Sequence, residues 1–193
     1  MKLVSFLNDQ QQPTYGAVSG DKVLDLQPIL GSQAGDLKSL IALNLQDAAA
    51  EALKAHPANL ALAHLHLLPV IPNPGKIICV GLNYGEHVRE TGREITESPA
   101  LFVRLPASQI GHGQAIVRPP ESHRLDYEGE IAVVIGQGGR RIAEADAWIH
   151  IAGYSCYNDG SVRDCPPLGT SDQCAGTSGQ AAASPARQSF PVT

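Results

Sequence analysis

Apolar and polar residues alternate in short runs at the start of the chain, and that period of two predicts strands. The runs cover residues 2–7 (KLVSFL), 15–18 (YGAV) and 22–26 (KVLDL), with Gly and polar turns between them. Residues 37–56 are rich in Ala and Leu and predict a helix. Residues 1–70 therefore read as a small N-terminal module. Its boundary is the segment IPNPGK, where Pro72, Pro74 and Gly75 end regular hydrogen bonding and set an extended approach. Strand patterns then follow at 77–80, 100–104, 115–117, 129–135 and 149–157, with a short helix over 143–148. The expected class is strand-dominated α+β.

Residues 165–193 differ in kind. They consist mostly of Pro, Gly, Ser, Thr, Ala and Gln, carry only Asp172 and Arg187 as charges, and lack apolar periodicity. Such a stretch cannot bury enough surface to offset its ordering entropy, so a disordered tail is expected. Length and charge change the picture mainly by exclusion. A chain of 193 residues that is 43% hydrophobic can bury a real core. A net charge of -5, without a basic stripe, argues against a nucleic-acid partner. No segment has the length of a membrane span, and a cytoplasmic location is expected. Cys79, Cys156, Cys165 and Cys174 show no CxxC spacing and read as free thiols.

Candidate chemistry gathers around three carboxylates. Glu128 and Glu130, in LDYEGEIAVVIG, stand two residues apart at the start of an apolar run. Strand side chains alternate faces, so both carboxylates project from one side, roughly 6–7 Å apart. Asp159, in YSCYNDGSVRD, ends the next strand pattern and closes the site if the two strands are neighbours. An all-oxygen donor set favours Mg²⁺, Mn²⁺ or Ca²⁺ over Zn²⁺. Asp126 shares the parity of the two glutamates and is a lesser candidate ligand. His87 and Glu90, in GLNYGEHVRE, lie at i and i+3, where on a helix Glu90 can orient the imidazole as a general base. Taken singly, each has a plainer reading. HxxE pairs are usually surface ion pairs, paired strand-end glutamates are usually solvated, and Asp159 suits a turn.

The order of these motifs changes that balance. The run KIICVGLNYGEHVRETG, then PALFVRLPASQIGHGQAIVRPP, then LDYEGEIAVVIGQGGRRIAEADAWIHIAGYSCYNDGSVRD resembles the fumarylacetoacetate hydrolase family from Pro72 to Asp164. The resemblance implies a mixed β-sandwich roll, with residues 71–164 as a partial catalytic core. It also implies a divalent metal, usually Mg²⁺, held at Glu128, Glu130 and Asp159, and a His87–Glu90 dyad that activates water or moves a proton. The implied substrates are 2-oxo acids. Hydrolytic C–C cleavage of a 2,4-dioxo acid is the first expectation, with decarboxylation, isomerisation or hydration as alternatives, and the implied assembly is a homodimer.

The resemblance stops at Asp164. The family pattern places a lysine about twenty residues beyond the aspartate ligand, whereas Lys76 is the last lysine of this chain. Losing that cation would leave the acidic cage unbalanced. The expectation is therefore a fold incomplete at its C-terminus, truncated or frame-altered after Asp164, with impaired activity or only a residual metal-binding or interaction role.

Overall fold

The computed structural model describes residues 1–81, residues 98–164 and the backbone of residues 181–184. Strands β1 (Lys2–Leu7), β2 (Pro13–Ser19) and β3 (Lys22–Asp25) form an antiparallel meander. It is followed by helices α1 (Gln27–Leu30), α2 (Leu37–Ala42) and α3 (Gln46–Ala55). Two short strands, β4 (Leu60–Ala61) and β5 (His66–Leu67), complete a sheet of order β4-β3-β2-β1-β5. Both faces of this sheet are covered. Tyr15, Ala17 and Leu24 face the helices, together with Leu26, Leu37 and Leu40. Val4, Phe6, Val23 and Leu67 form a second cluster. The alternation in the sequence is thus realised as two apolar faces rather than one.

The helix expected over 37–56 is two helices. Asn44 takes a positive φ of 55°, a left-handed conformation that Asn tolerates better than most residues, and the chain turns there. Asp36 caps α2 by accepting from the Ser39 backbone N–H at 2.7 Å, and its other oxygen accepts from Asn73 Nδ2 at 2.7 Å. The proline-containing boundary segment is thereby tied back to the first unit.

Strands β6 (Ile77–Gly81) and β7 (Ala100–Arg104) pair antiparallel, with Ile77 opposite Arg104. Next come β8 (Gln109–Ile110), β9 (Leu125–Asp126), β10 (Gly129–Ile135), β11 (Ile151–Asp159) and β12 (Ser161–Val162). The last described strand, β13 (Ala181–Ser184), lies between β11 and β8 in a sheet of order β10-β11-β13-β8. Strand-dominated α+β is the observed class, with three local corrections. Residues 115–117 form no strand and run into Arg118-Pro119-Pro120, where proline withholds a donor. The helix expected at 143–148 is a 3₁₀ helix, Glu144–His150. Part of the stretch expected to be disordered is the strand β13, because an open edge such as that of β11 offers hydrogen bonds to any backbone. Among the described residues no helix is long and apolar enough to cross a membrane.

Burial is uneven. Among the described residues, the buried hydrophobic side chains all lie between Val4 and Leu67. The second unit leans on that core through Ile71 and Val134. Its outer faces stay open, with Leu101 61%, Val103 73% and Leu105 66% exposed beside β6–β7, and Ile131 69% and Ile135 60% exposed on β10. The junction of the two units is close. Gly111 presses on the Leu67 carbonyl, and a Cβ there would lie 2.8 Å from the Leu67 carbonyl carbon and strike its oxygen. Gln109 Nε2 donates to Ile71 O at 3.3 Å across the same joint.

Two outcomes follow from this packing. Gly111→Ala should lower stability by about 1–3 kcal/mol in urea unfolding, since backbone on both sides must give way; an unchanged midpoint would show that the joint is soft. The double change Val103→Lys, Ile131→Lys should cut light scattering and binding of an apolar fluorescent dye, because it charges two open apolar faces. Equal scattering and dye binding would mean that those faces are covered in solution.

Candidate active site

The register of β10 against β11 builds the site. Gly129 lies opposite Asn158, Glu130 opposite Tyr157 and Ala132 opposite Ser155. Period-two alternation puts Glu130, Tyr157, Ser155 and Asp159 on the inner face and Ile131, Val133 and Tyr154 on the outer one. Glu128 stands just before β10 rather than within it. Its N–H donates to Asn158 Oδ1 at 3.0 Å, and its carbonyl accepts from the Asp159 N–H at 2.8 Å. The YEGE and YND segments are therefore locked together by their backbones.

Each carboxylate sits in a different surrounding. Asp159, the last residue of β11, is 6% exposed and forms an ion pair with Arg104, the last residue of β7, which is 8% exposed. Glu128 accepts from Arg163 Nη2 at 2.8 Å. Arg163 also holds Asp126 Oδ2 at 3.1 Å, so Asp126, weighed above as a ligand, is an arginine partner here. Pairing of β12 with β9, with Ser161 opposite Asp126, brings Arg163 to that place. Glu130 is half-buried beside Tyr157. Among the described residues no three His, Cys, Asp or Glu side chains are arranged as a metal cluster, since arginines occupy two of the three expected carboxylates. His87 and Glu90 lie outside the described residues.

Electrostatics set the inner face apart from a solvated strand end. Burial pushes the Asp159 carboxyl up, and the nearby Glu128 adds to this, against the pull of Arg104. Burial and then the charge of Asp159 push the Tyr157 phenol up to about 12. Its hydroxyl is buried and has no hydrogen-bond partner among the described residues. The Cys79 thiol, on β6, is likewise raised by burial and by Asp159. Carboxylate oxygens from two adjoining strand ends are the donor type a hard divalent cation takes, although no cluster of three is assembled among the described residues. No local pattern in the sequence put Arg104 against Asp159 or buried the Tyr157 hydroxyl. A charged residue closing the otherwise apolar ALFVR run was the one available signal.

Comparison with known proteins places the chain in a family. Residues 76–185 match the family described as Fumarylacetoacetate (FAA) hydrolase C-terminal, more than half of the chain and past Asp164. The chain belongs to the fumarylacetoacetate hydrolase family. It is 32% identical over 170 residues to the Fumarylacetoacetate hydrolase domain-containing protein 2 homolog of Dictyostelium discoideum, covering 85% of this chain and 55% of that protein. It is 35% identical over 170 residues to the mitochondrial Oxaloacetate tautomerase fahd2 of Xenopus laevis, covering 85% of this chain and 53% of that one. The maleylpyruvate hydrolase of Sphingobium sp. SYK-6, solved in complex with manganese(II) ion and pyruvate, superposes with a TM-score of 0.71 at 25% identity, over 96% of this chain and 66% of that one. The fold is thus the strand-dominated one of fumarylacetoacetate hydrolase structures, and the chain spans about half the length of these two curated relatives.

The raised phenol makes a pH prediction. Tyr157 keeps its proton in the folded chain while the unfolded chain loses it near pH 10, so the folded state binds more protons between about pH 10 and 12 and stability falls as pH rises through that window. Tyr157→Phe should remove part of this alkaline loss and one late-titrating phenolate from the absorbance titration. If the phenolate lost in Tyr157→Phe instead titrates near pH 10, Tyr157 stands in water.

Proposed function

We propose that this chain carries the site of a metal-dependent enzyme that hydrolyses a C–C bond in a 2,4-dioxo acid of the acylpyruvate type. The observation that supports this best is the mutual seating of Glu128 and Asp159 at the joined ends of β10 and β11, with Glu130 on the inner face, in a chain of this family. Glu128, Glu130 and Asp159 would hold the cation, magnesium or the manganese seen with the maleylpyruvate hydrolase. When bound, such a cation supplies positive charge to the substrate carboxylate and to the 2-oxo oxygen on which charge develops.

The chain's own residues divide the remaining work. His87 takes a proton from water, and Glu90 orients the imidazole and stabilises its charged form. Tyr157, neutral across the working range, offers a hydroxyl rather than a charge. Arg163 keeps the Glu128 carboxylate at the end of β10. The open β6–β7 and β10 faces suit the homodimer expected from the resemblance.

A second reading is favoured by the relatives named oxaloacetate tautomerase. In it the same base moves a proton between carbon and the enol oxygen of a 2-oxo acid, a C–H bond exchanging for an O–H bond, and no C–C bond is cleaved. Both readings call on His87, and they part at the product.

The test is turnover of an acylpyruvate and of enol-oxaloacetate with Mn²⁺ or Mg²⁺. Cleavage is expected to release pyruvate, and His87→Ala should lower kcat by about 10²–10⁴-fold. Tautomerisation without cleavage would decide for the second reading. Absence of both with either metal would sink the two together.

A further inference from the structure

We propose that Arg104 is the chain's built-in counter-cation for Asp159, and that it competes with the divalent cation for that carboxylate and so sets the metal affinity. The inference rests on the metal-site reading above and concerns a residue that reading does not use. Arg104 and Asp159 close two different strand pairs, β6–β7 and β10–β11, and their side chains meet with exposures of only 6% and 8%. A carboxylate this deep is costly to leave unpaired, so a positive group must stand beside it. Arg104 pairs with Asp159 Oδ1, and a cation on the same carboxylate would stand close to the guanidinium in a site with little water, where the two positive charges repel. Cation binding at Asp159 therefore works against the Arg104 ion pair.

The second arginine does not have the same hold. Arg163 is 36% exposed and shares itself between Asp126 and Glu128, so it can give up Glu128 while keeping Asp126, and water screens what is left. Arg104 is buried, so water screens its charge far less. Its guanidinium carbon lies 5.7 Å from the Phe102 ring centroid, a cation–π contact that keeps it at the site whether or not Asp159 is its partner. The buried arginine, not the exposed one, is the competitor.

The experiment is calorimetric titration of the whole chain with Mn²⁺, together with thermal unfolding with and without Mn²⁺. Arg104→Gln should bind Mn²⁺ at least tenfold more tightly than the native sequence, unfold at a lower temperature without metal, and gain more from metal. Arg163→Gln should change the affinity less than Arg104→Gln does. Should Arg104→Gln fail to fold, Arg104→Lys keeps a charge but loses the planar fork, and it should bind at least threefold more tightly than the native chain. Equal or weaker Mn²⁺ binding by the folded arginine variant, with binding by the native chain intact, overturns the competition alone. Binding that survives Asp159→Ala unchanged also overturns it. No Mn²⁺ binding by the native chain and by the arginine variants alike defeats the metal-site reading, and the competition with it.

Discussion

The antiparallel register of β10 and β11 is the constraint on which the site depends. Side-chain direction in a strand has a period of two, so a slip of one residue would send Glu130 to the outer face while Tyr157 and Asp159 stayed on the inner one. The register is pinned at both ends. At one end the backbone of Glu128 is bonded to Asn158 and Asp159. At the other, the pairing shifts between Val134 and Ile135, just where Val134 packs on the core of the first unit.

That dependence explains how a unit with little apolar core of its own keeps an ordered interior. Among the described residues, buried hydrophobic side chains stop at Leu67, and what is buried beyond is polar or charged: Arg104, Ser108, Ser122, Ser155 and Asp159. A buried ion pair adds little net stability compared with apolar packing, since desolvation offsets most of the attraction. Its value here is that only one approach of β7 to β11 satisfies both charges. Leu101 and Val103 of β7 and Tyr154 of β11 are exposed on the outer side, away from this polar interior.

Much of the scaffold was legible from local pattern. Strands at 2–7, 100–104 and 129–135 appear with the expected bounds, because alternation and turn residues are properties of neighbours along the chain. The long helix was not legible as two, since a single Asn in a left-handed conformation decides the break. The strand at 181–184 could not be read from an Ala-rich segment, because its pairing comes from the edges it meets and not from its side chains. For the site, motif order drew attention to Glu128, Glu130 and Asp159, but nothing in their spacing showed that arginines hold two of them.

By itself the sequence determined the class of the fold, since that is written in composition and period. The tertiary structure alone decided that Arg104 faces Asp159, that Arg163 divides itself between Asp126 and Glu128, and that the Tyr157 hydroxyl is buried without a partner among the described residues. The reason is physical: charge pairing and desolvation depend on distance in space between segments far apart in the chain, and no local pattern carries that distance.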